Sequence, residues 1–251
     1  MTEWDNKQKE QKIRLNKFLS EAGVCSRREA DAWIEKGLVW VDGQPAKTGM
    51  KVSADQQITV NGKPVVWEEE EILLAVYKPR GVVCTTVSQF GEKTIVDLVH
   101  YPKRIYPIGR LDKNSEGLIL MTNQGEIVNQ ILKSSNYHEK EYLVSVQKPL
   151  TEEFLNQMRS GIPILDTVTR PCTAEQLGET RFRIILTQGL NRQIRRMCEY
   201  CGYRVQRLKR VRVMNIQLGN LRAGEYRQVL GKELEELKKM LAEPVNKKGN
   251  P

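Results

Sequence analysis

The sequence predicts an α+β protein in two parts: a small N-terminal unit of helices and hairpin strands, followed by a mixed, largely antiparallel domain. Three observations predict it. Two helix-spaced segments near the N-terminus lead into two turn dipeptides, Asp42-Gly43 and Asn61-Gly62, each bordering a strand-like run. Four consecutive glutamates, Glu68 to Glu71, break the composition. Beyond them, apolar strand-like runs recur without the strand–helix alternation of a parallel sheet. The expected division is residues 12–67 for the first unit, 68–71 for an acidic linker, 72–231 for the main domain, and 232–251 for a C-terminal helix and basic tail.

Each element has a local reason. Arg14 to Ala22 places Leu15, Phe18 and Leu19 on one side of a helix that Gly23 stops. Ser26 with Glu29 three residues on is a capping-box signature for a second helix, Arg27 to Lys36, closed at Gly37. Leu38 to Val41 and Ile58 to Val60 are short strands running into the two turns. Past the glutamates, Ile72 to Tyr77 reads as a buried strand, Lys78-Pro79-Arg80-Gly81 breaks it, and Val82 to Val87 resumes it. Leu118 to Met121 is a further buried strand, after which Asn123 caps a helix from Gln124. Glu141 to Val146 and Phe182 to Leu186 are strands. A helix starts at Arg192, capped by Asn191 and ended by Gly202, and a last helix covers Lys232 to Ala242.

Composition narrows the function. At 251 residues, 39% hydrophobic and 28% charged, the chain fits a soluble globular protein. No apolar run approaches the roughly 20 residues that span a bilayer. The N-terminal MTEWDNKQKEQK lacks the apolar centre of a signal peptide, so the expectation is a cytoplasmic protein with no membrane partner. Five cysteines, an odd number, do not suggest a disulfide framework, and two histidines leave little scope for a metal site. A formal charge of +9 points to a polyanionic partner, nucleic acid first. No glycine-rich phosphate loop or metal-ligand cluster occurs, so no cofactor and no metal are expected. Cys198 and Cys201 form a Cys-x-x-Cys, but Ile194, Met197, Cys198 and Cys201 also trace one face of a helix. We read them as core.

Two stretches carry candidate chemistry. IGRLDKNSEGLILMTN, Ile108 to Asn123, sets Asp112 between an Arg-Leu pair and a polar turn, just ahead of an apolar run. NRQIRRMCEYCGYRVQRLKRVR, Asn191 to Arg212, holds eight basic residues against one acid, Glu199. Arg192, Arg195 and Arg196 cluster at a helix start, where the helix dipole disfavours cations, so an anion is the better reason for them. A carboxylate beside an arginine is held charged and aimed, fit to act as nucleophile or base. The same spacing suits a structural ion pair, and both readings stand.

Two resemblances weigh on that choice. RLNKFLSEAGVCSRREADAWIEKGLVWVDGQPAKTGMKV, from Arg14, is similar to the S4 RNA-binding domain, which implies RNA contact by Arg14, Lys17, Arg27, Arg28 and Lys51. IGRLDKNSEGLILMTNQGEIVNQIL resembles the catalytic segment of the pseudouridine synthases, in the branch that acts on ribosomal RNA and carries an N-terminal S4 domain. HEKEYLV and GLNRQIRRMCEYCGY match its second and third motifs. The resemblance runs from about Arg14 to Leu230 and implies a pseudouridine-synthase catalytic domain behind the S4 unit.

It also implies roles. Asp112 is the nucleophile that opens the uridine N-glycosidic bond, Arg195 pairs with it, and Tyr142 stacks on the base. Arg110, Leu111, Lys113, Arg192, Gln193 and Ile194 form the RNA-contact stretches. A bottom-up alternative for Tyr142 is plain packing, since it shares a strand face with Val144. The implied partner is structured ribosomal RNA of the large subunit, met by a monomer. Small-subunit RNA, tRNA, a non-catalytic RNA-binding assembly factor and a metal-dependent nuclease are the alternatives.

Overall fold

A computed structural model describes residues 12–53, 55–66, 70–86, 88 and 91–243. The hydrophilic N-terminus, Glu68 and Glu69 of the expected linker, and the basic tail lie outside the described residues. By packing, the chain divides into two compact units: residues up to Glu71 together with Pro102–Ile105, and residues Ile72–Tyr101 with Tyr106 onward.

In the first unit, β1 (Ile13–Arg14) leads into α1 (Leu15–Glu21) and α2 (Arg27–Glu35). Strands β2 (Val39–Val41), β3 (Gln44–Pro45), β4 (Lys51–Val52), β5 (Ile58–Val60) and β6 (Lys63–Pro64) follow. The capping box forms as the spacing predicts: the Glu29 amide donates to Ser26 Oγ, and the Ser26 amide donates to Glu29 Oε2. Asp42-Gly43 and Asn61-Gly62 both take left-handed backbone, the geometry of a tight hairpin turn. Their strands assemble as β3-β2-β5-β6, while β1 pairs with β4. Leu15, Phe18, Leu19, Ile34, Val39 and Ile58 make a small core, each nearly or fully buried. Within this unit Arg104 donates to the carbonyl and the hydroxyl of Ser20, both at 3.3 Å. Glu70 receives Lys103 at 2.5 Å.

The second unit is built on one mixed sheet. Its strands are β7 (Leu73–Lys78), β8 (Tyr106–Ile108), β9 (Glu116–Thr122), β10 (Lys140–Val146), β11 (Pro163–Ile164) and β12 (Thr167–Val168). β13 (Thr173–Gly178), β14 (Arg181–Leu186), β15 (Val205–Val213), β16 (Ile216–Gln217) and β17 (Tyr226–Gln228) complete them. The helices are α3 (Ile95–Val99), α4 (Gly125–Leu132), α5 (Glu152–Ser160), α6 (Gln193–Tyr200) and α7 (Gly231–Ala242). The strand order is β13-β14-β10-β15-β9-β7-β17, with β8 on β9 and β16 on β15, while β11 and β12 pair apart from it. Among the described residues of this sheet, only β9 against β15 runs parallel.

Two cores flank this sheet. One packs α5 and α6 on β10 and β14, around Phe154, Phe182, Met197 and Cys198. The predicted apolar face of α6 is therefore core. The other packs α4 and α7 on β7 and β9, around Leu118, Leu120, Ile131 and Leu237.

Local sequence reading needs three corrections. Val82 to Thr86 does not resume a strand; it is a loop in which Val83 touches Thr94 through one isolated bridge, and Val87 lies outside the described residues. Asn123 does not cap α4. Its Oδ1 accepts the Ile72 amide at 3.0 Å instead, a contact 51 residues away. Asn191 does not cap α6 either: Arg192 is the N-cap, in the left-handed region, and Asn191 Oδ1 faces Arg196.

The parallel contact is narrow, because only Lys209↔Glu116 and Arg210↔Gly117 are in register. Gly117 has φ +107, and a Cβ there would sit 2.2 Å from the Arg210 carbonyl oxygen. Only glycine allows both the backbone angle and the approach. Gly117→Ala is expected to cost about 1–3 kcal/mol from backbone strain alone, with the steric contact adding to it. Chemical denaturation measures this, and an unchanged midpoint would refute the close approach.

Candidate active site

Asp112 lies in the loop that enters β9, and three devices fix that loop. The Ser115 amide donates to the Asp112 carbonyl at 2.9 Å, closing a turn. The Gly81 amide donates to the Lys113 carbonyl at 2.8 Å. Lys78, the last residue of β7, is fully buried and donates to the carbonyls of Pro79 and Val82, both at 2.8 Å, and to that of Lys113 at 3.5 Å. Burial pulls this ammonium below the usual lysine range. Sequence reading took Lys78 for a strand breaker. The overlooked signal is a lysine that continues an unbroken apolar strand.

Two guanidinium groups meet the Asp112 carboxylate. Arg192 Nη1 is 3.6 Å and Arg195 Nε 3.8 Å from Oδ2. The Arg195 side chain is only 10% exposed against 34% for Asp112, so the arginine forms the wall and the acid faces the opening. Arg195 is anchored through Nη2 to the Asn114 carbonyl at 3.2 Å and Ser115 Oγ at 3.3 Å, and through Nη1 to the Val205 carbonyl at 3.4 Å. Its buried Nε has no hydrogen-bond partner. Burial and the nearby Arg192 lower Arg195 from its ordinary value, and Asp112 acts against them. Arg192, expected only to contact RNA, thus sits on the acid as well. Its left-handed backbone (φ 50) at the start of α6 is an uncommon state for a long side chain.

Asp112 borders a cavity of about 360 Å³ at the junction of the two cores. Ile108, Leu120 and Ile131 line one side, and Leu186, Ile194 and Leu208 the other. Tyr142, Arg110, Leu111, Arg192 and Gln193 border it too, so the structure gathers these predicted residues around Asp112. Tyr142 is half-buried, both lining the cavity and packing on the core behind β10. Leu111 and Ile194 are buried walls. Gln193 turns inward, accepting the Leu190 amide at 3.1 Å. Arg110 is exposed, and Lys113 is exposed and paired with Glu92 at 2.7 Å.

Sequence reading missed two further cations in this cavity, Lys140 and Arg210. Burial, with Arg210 as a like-charged neighbour, brings Lys140 down to about 8. Arg210 is 4% exposed and donates through Nε to the Leu118 carbonyl at 2.7 Å. The signal was available, since Leu208 and Arg210 alternate onto one face of β15. A second recess of about 640 Å³ shares Arg192 and Arg195 and adds Arg80 and Arg204, also unforeseen.

The basic run from Asn191 to Arg212 is less free than its local count suggests. Arg207 pairs with Glu116 at 2.5 Å, and Arg212 with Glu139 and Glu141, both at 2.9 Å. In the first unit, Arg14 and Lys51 are exposed register partners across β1 and β4, and Arg27 and Arg28 are exposed at the start of α2. Lys17 pairs with Glu21 at 3.8 Å.

Among the described residues, no group of three or more His, Cys, Asp or Glu could hold a metal ion, and no helix is long and apolar enough to cross a membrane.

Comparison with known proteins identifies the family of this chain. Residues 72–200 match the family model described as RNA pseudouridylate synthase, and residues 13–58 match the S4 domain. The chain is 50% identical over 232 residues to the dual-specificity RNA pseudouridine synthase RluF of Escherichia coli (strain K12), covering 91% of this chain and 79% of that protein. It is 36% identical over 233 residues to the ribosomal large subunit pseudouridine synthase B of Bacillus subtilis (strain 168), covering 90% and 95%. A crystal structure of a pseudouridylate synthase superposes with a TM-score of 0.66 at 28% identity, covering 91% of this chain and 99% of that one. With both family models matched in order and relatives aligned over most of their length, this chain belongs to the RNA pseudouridine synthases that carry an N-terminal S4 domain.

Proposed function

We propose that this enzyme isomerises uridine in structured large-subunit ribosomal RNA, with Asp112 as its nucleophile. The observation that carries the reading is a single carboxylate, met by Arg192 and Arg195 at 3.6 and 3.8 Å, on the rim of a cavity with apolar walls. Such a cavity suits one extruded base. Extrusion costs a few kcal/mol, and stacking on Tyr142, worth about 1–3 kcal/mol, offsets it. The reaction detaches the base, turns it and rejoins it through carbon. It needs neither redox change nor phosphoryl transfer, so the residues present suffice without a cofactor. Attack on the sugar C1′, attack on C6 of the base and abstraction of a sugar proton are all open to the Asp112 carboxylate, which the guanidinium pair keeps aimed.

The recess lined by Arg80, Arg192, Arg195 and Arg204 takes the phosphodiester backbone beside the flipped nucleotide. Arg14 and Lys51, with Arg27 and Arg28, let the S4 unit grip the RNA. The relative at 36% identity is named for the large ribosomal subunit, which favours that substrate. The relative at 50% identity is named as dual-specific, which supports a second reading with an additional RNA class such as tRNA. The protein works as a monomer in the cytoplasm.

Three outcomes are expected. Asp112→Asn should lower tritium release from RNA labelled at uridine C5 by roughly 10⁴-fold or more, the scale of losing a nucleophile; a wild-type rate would leave only an RNA-binding protein. Arg195→Ala should cut single-turnover rate by about 10²–10³-fold while changing RNA affinity far less, and matched losses would make it a simple phosphate contact. Replacing both Arg14 and Lys51 by Ala should reduce the slope of log affinity against log salt by about 2. An unaltered slope would remove this pair from the interface. Mapping carbodiimide-induced reverse-transcription stops on ribosomal RNA, with and without the enzyme, identifies the modified position.

A further inference from the structure

Asp112 and its two arginines account for the rim of the cavity but not for its floor. Lys140, Tyr142 and Arg210 stand there on one face of the sheet. Lys140 and Tyr142 are two apart on β10, and Tyr142 and Arg210 are register partners across β10 and β15. Arg210 has a buried Nη2 with no hydrogen-bond partner, although its Nε is satisfied by the Leu118 carbonyl. Lys140 Nζ donates to the His138 carbonyl at 3.1 Å, and the charged neighbour that acts on it is Arg210, another cation.

Two desolvated like charges side by side are costly, and an unpaired buried donor adds to the cost. That arrangement has a function if an electron-rich group enters and meets both. The walls decide what kind of group it is. Ile108, Leu120, Leu186 and Leu208 offer no partners to a hydrated phosphate, but they fit a flat ring with polar atoms at one edge.

We propose that Lys140 and Arg210 bind the carbonyl oxygens of the target uracil and take up the negative charge that collects there when the base leaves. When the C1′–N1 bond breaks, its electron pair stays with the ring and spreads onto O2 and O4. Where Asp112 attacks C1′, its carboxylate supplies the compensating pair at the sugar. Rejoining forms C1′–C5 from a ring electron pair while the bond between C1′ and the Asp112 carboxylate breaks and returns its pair to the acid. The C5 proton leaves to water and N1 gains one, so no electrons are added or lost. Fixed donors aimed at developing charge are strongest where apolar side chains surround them, as Ile108, Leu120, Leu186 and Leu208 do here. Both residues are thereby catalytic, and the assignment rests on the reading of Asp112 given above.

The test uses the full chain and a synthetic hairpin carrying either uridine or 5-fluorouridine at the mapped position. Fluorine makes the base more acidic and a better leaving group, so a base-stabilising cation matters less. Lys140→Met and Arg210→Met are expected to lower the single-turnover disappearance of the N-linked nucleoside by about 10²-fold or more with uridine. RNA affinity should stay nearly unchanged, and the loss should shrink several-fold with 5-fluorouridine. Lys140→Arg should recover part of the rate. The ratio of the two substrates is taken within one variant, so a partly unfolded preparation lowers both rates and leaves the ratio intact. Equal losses on the two hairpins, a loss of affinity matching the loss of rate, or unchanged rates would overturn the proposal. Asp112→Asn run alongside separates the cases: if it stays active, the reading of Asp112 itself has failed.

Discussion

Two residues of parallel ladder hold the site together. Glu116 and Gly117 of β9 lie against Lys209 and Arg210 of β15, and among the described residues no other strand pairing joins the two halves of the sheet. Everything around Asp112 is referred to that seam. The loop carrying Asp112 runs straight into β9, and β15 carries Arg207 to Glu116 and Arg210 to the Leu118 carbonyl. Arg195, from α6, closes on Asn114 and Ser115 from 81 and 80 positions away in sequence. The bare Cα of Gly117 permits the approach; a side chain there would push the strands apart and carry the acid away from its arginines.

The seam is also where charge is managed. A strand as basic as VQRLKRVRV would repel itself and its neighbours if every cation were free. Instead Arg207 and Arg212 are neutralised by Glu116, Glu139 and Glu141, while Lys209 lies 4.8 Å over the Tyr77 ring. Lys78 is satisfied by backbone carbonyls rather than by an acid. Arg80 and Arg204 line one recess and Lys140 and Arg210 the other, none of them in an ion pair with an acid among the described residues. Charge on the framework strand is thus balanced by acids and a ring, while the cations lining the two recesses keep theirs.

How much of this was legible in the sequence follows from the range of each interaction. Ser26 with Glu29, the two hairpin dipeptides and the apolar stripe of α6 are decided within a turn or two of chain, and they stand as read. Asn123 and Asn191 were misread for the opposite reason. Each has the right side chain for a cap, but Asn123 is taken by the Ile72 amide, and Asn191 yields the cap position to Arg192. The basic count between Asn191 and Arg212 overstated free charge because its acids come from other strands. Asp112, Arg195 and Tyr142 were found through motif resemblance, and the structure brings them together, with Arg195 against the Asp112 that shares a cavity with Tyr142. Lys78 and Arg210 each left a trace, a cation at an apolar position of its strand, but the carbonyls that receive them are visible only once the strands are in place.

The four residues Pro102–Ile105 pack with the first unit although the chain on either side belongs to the second. The backbone therefore passes from one unit to the other three times, not once. A single cleavage after Glu71 would not release the RNA-binding module whole, because Ser20 would lose Arg104, which donates to its carbonyl and hydroxyl. Any transplant of that module onto another enzyme must bring this borrowed staple with it.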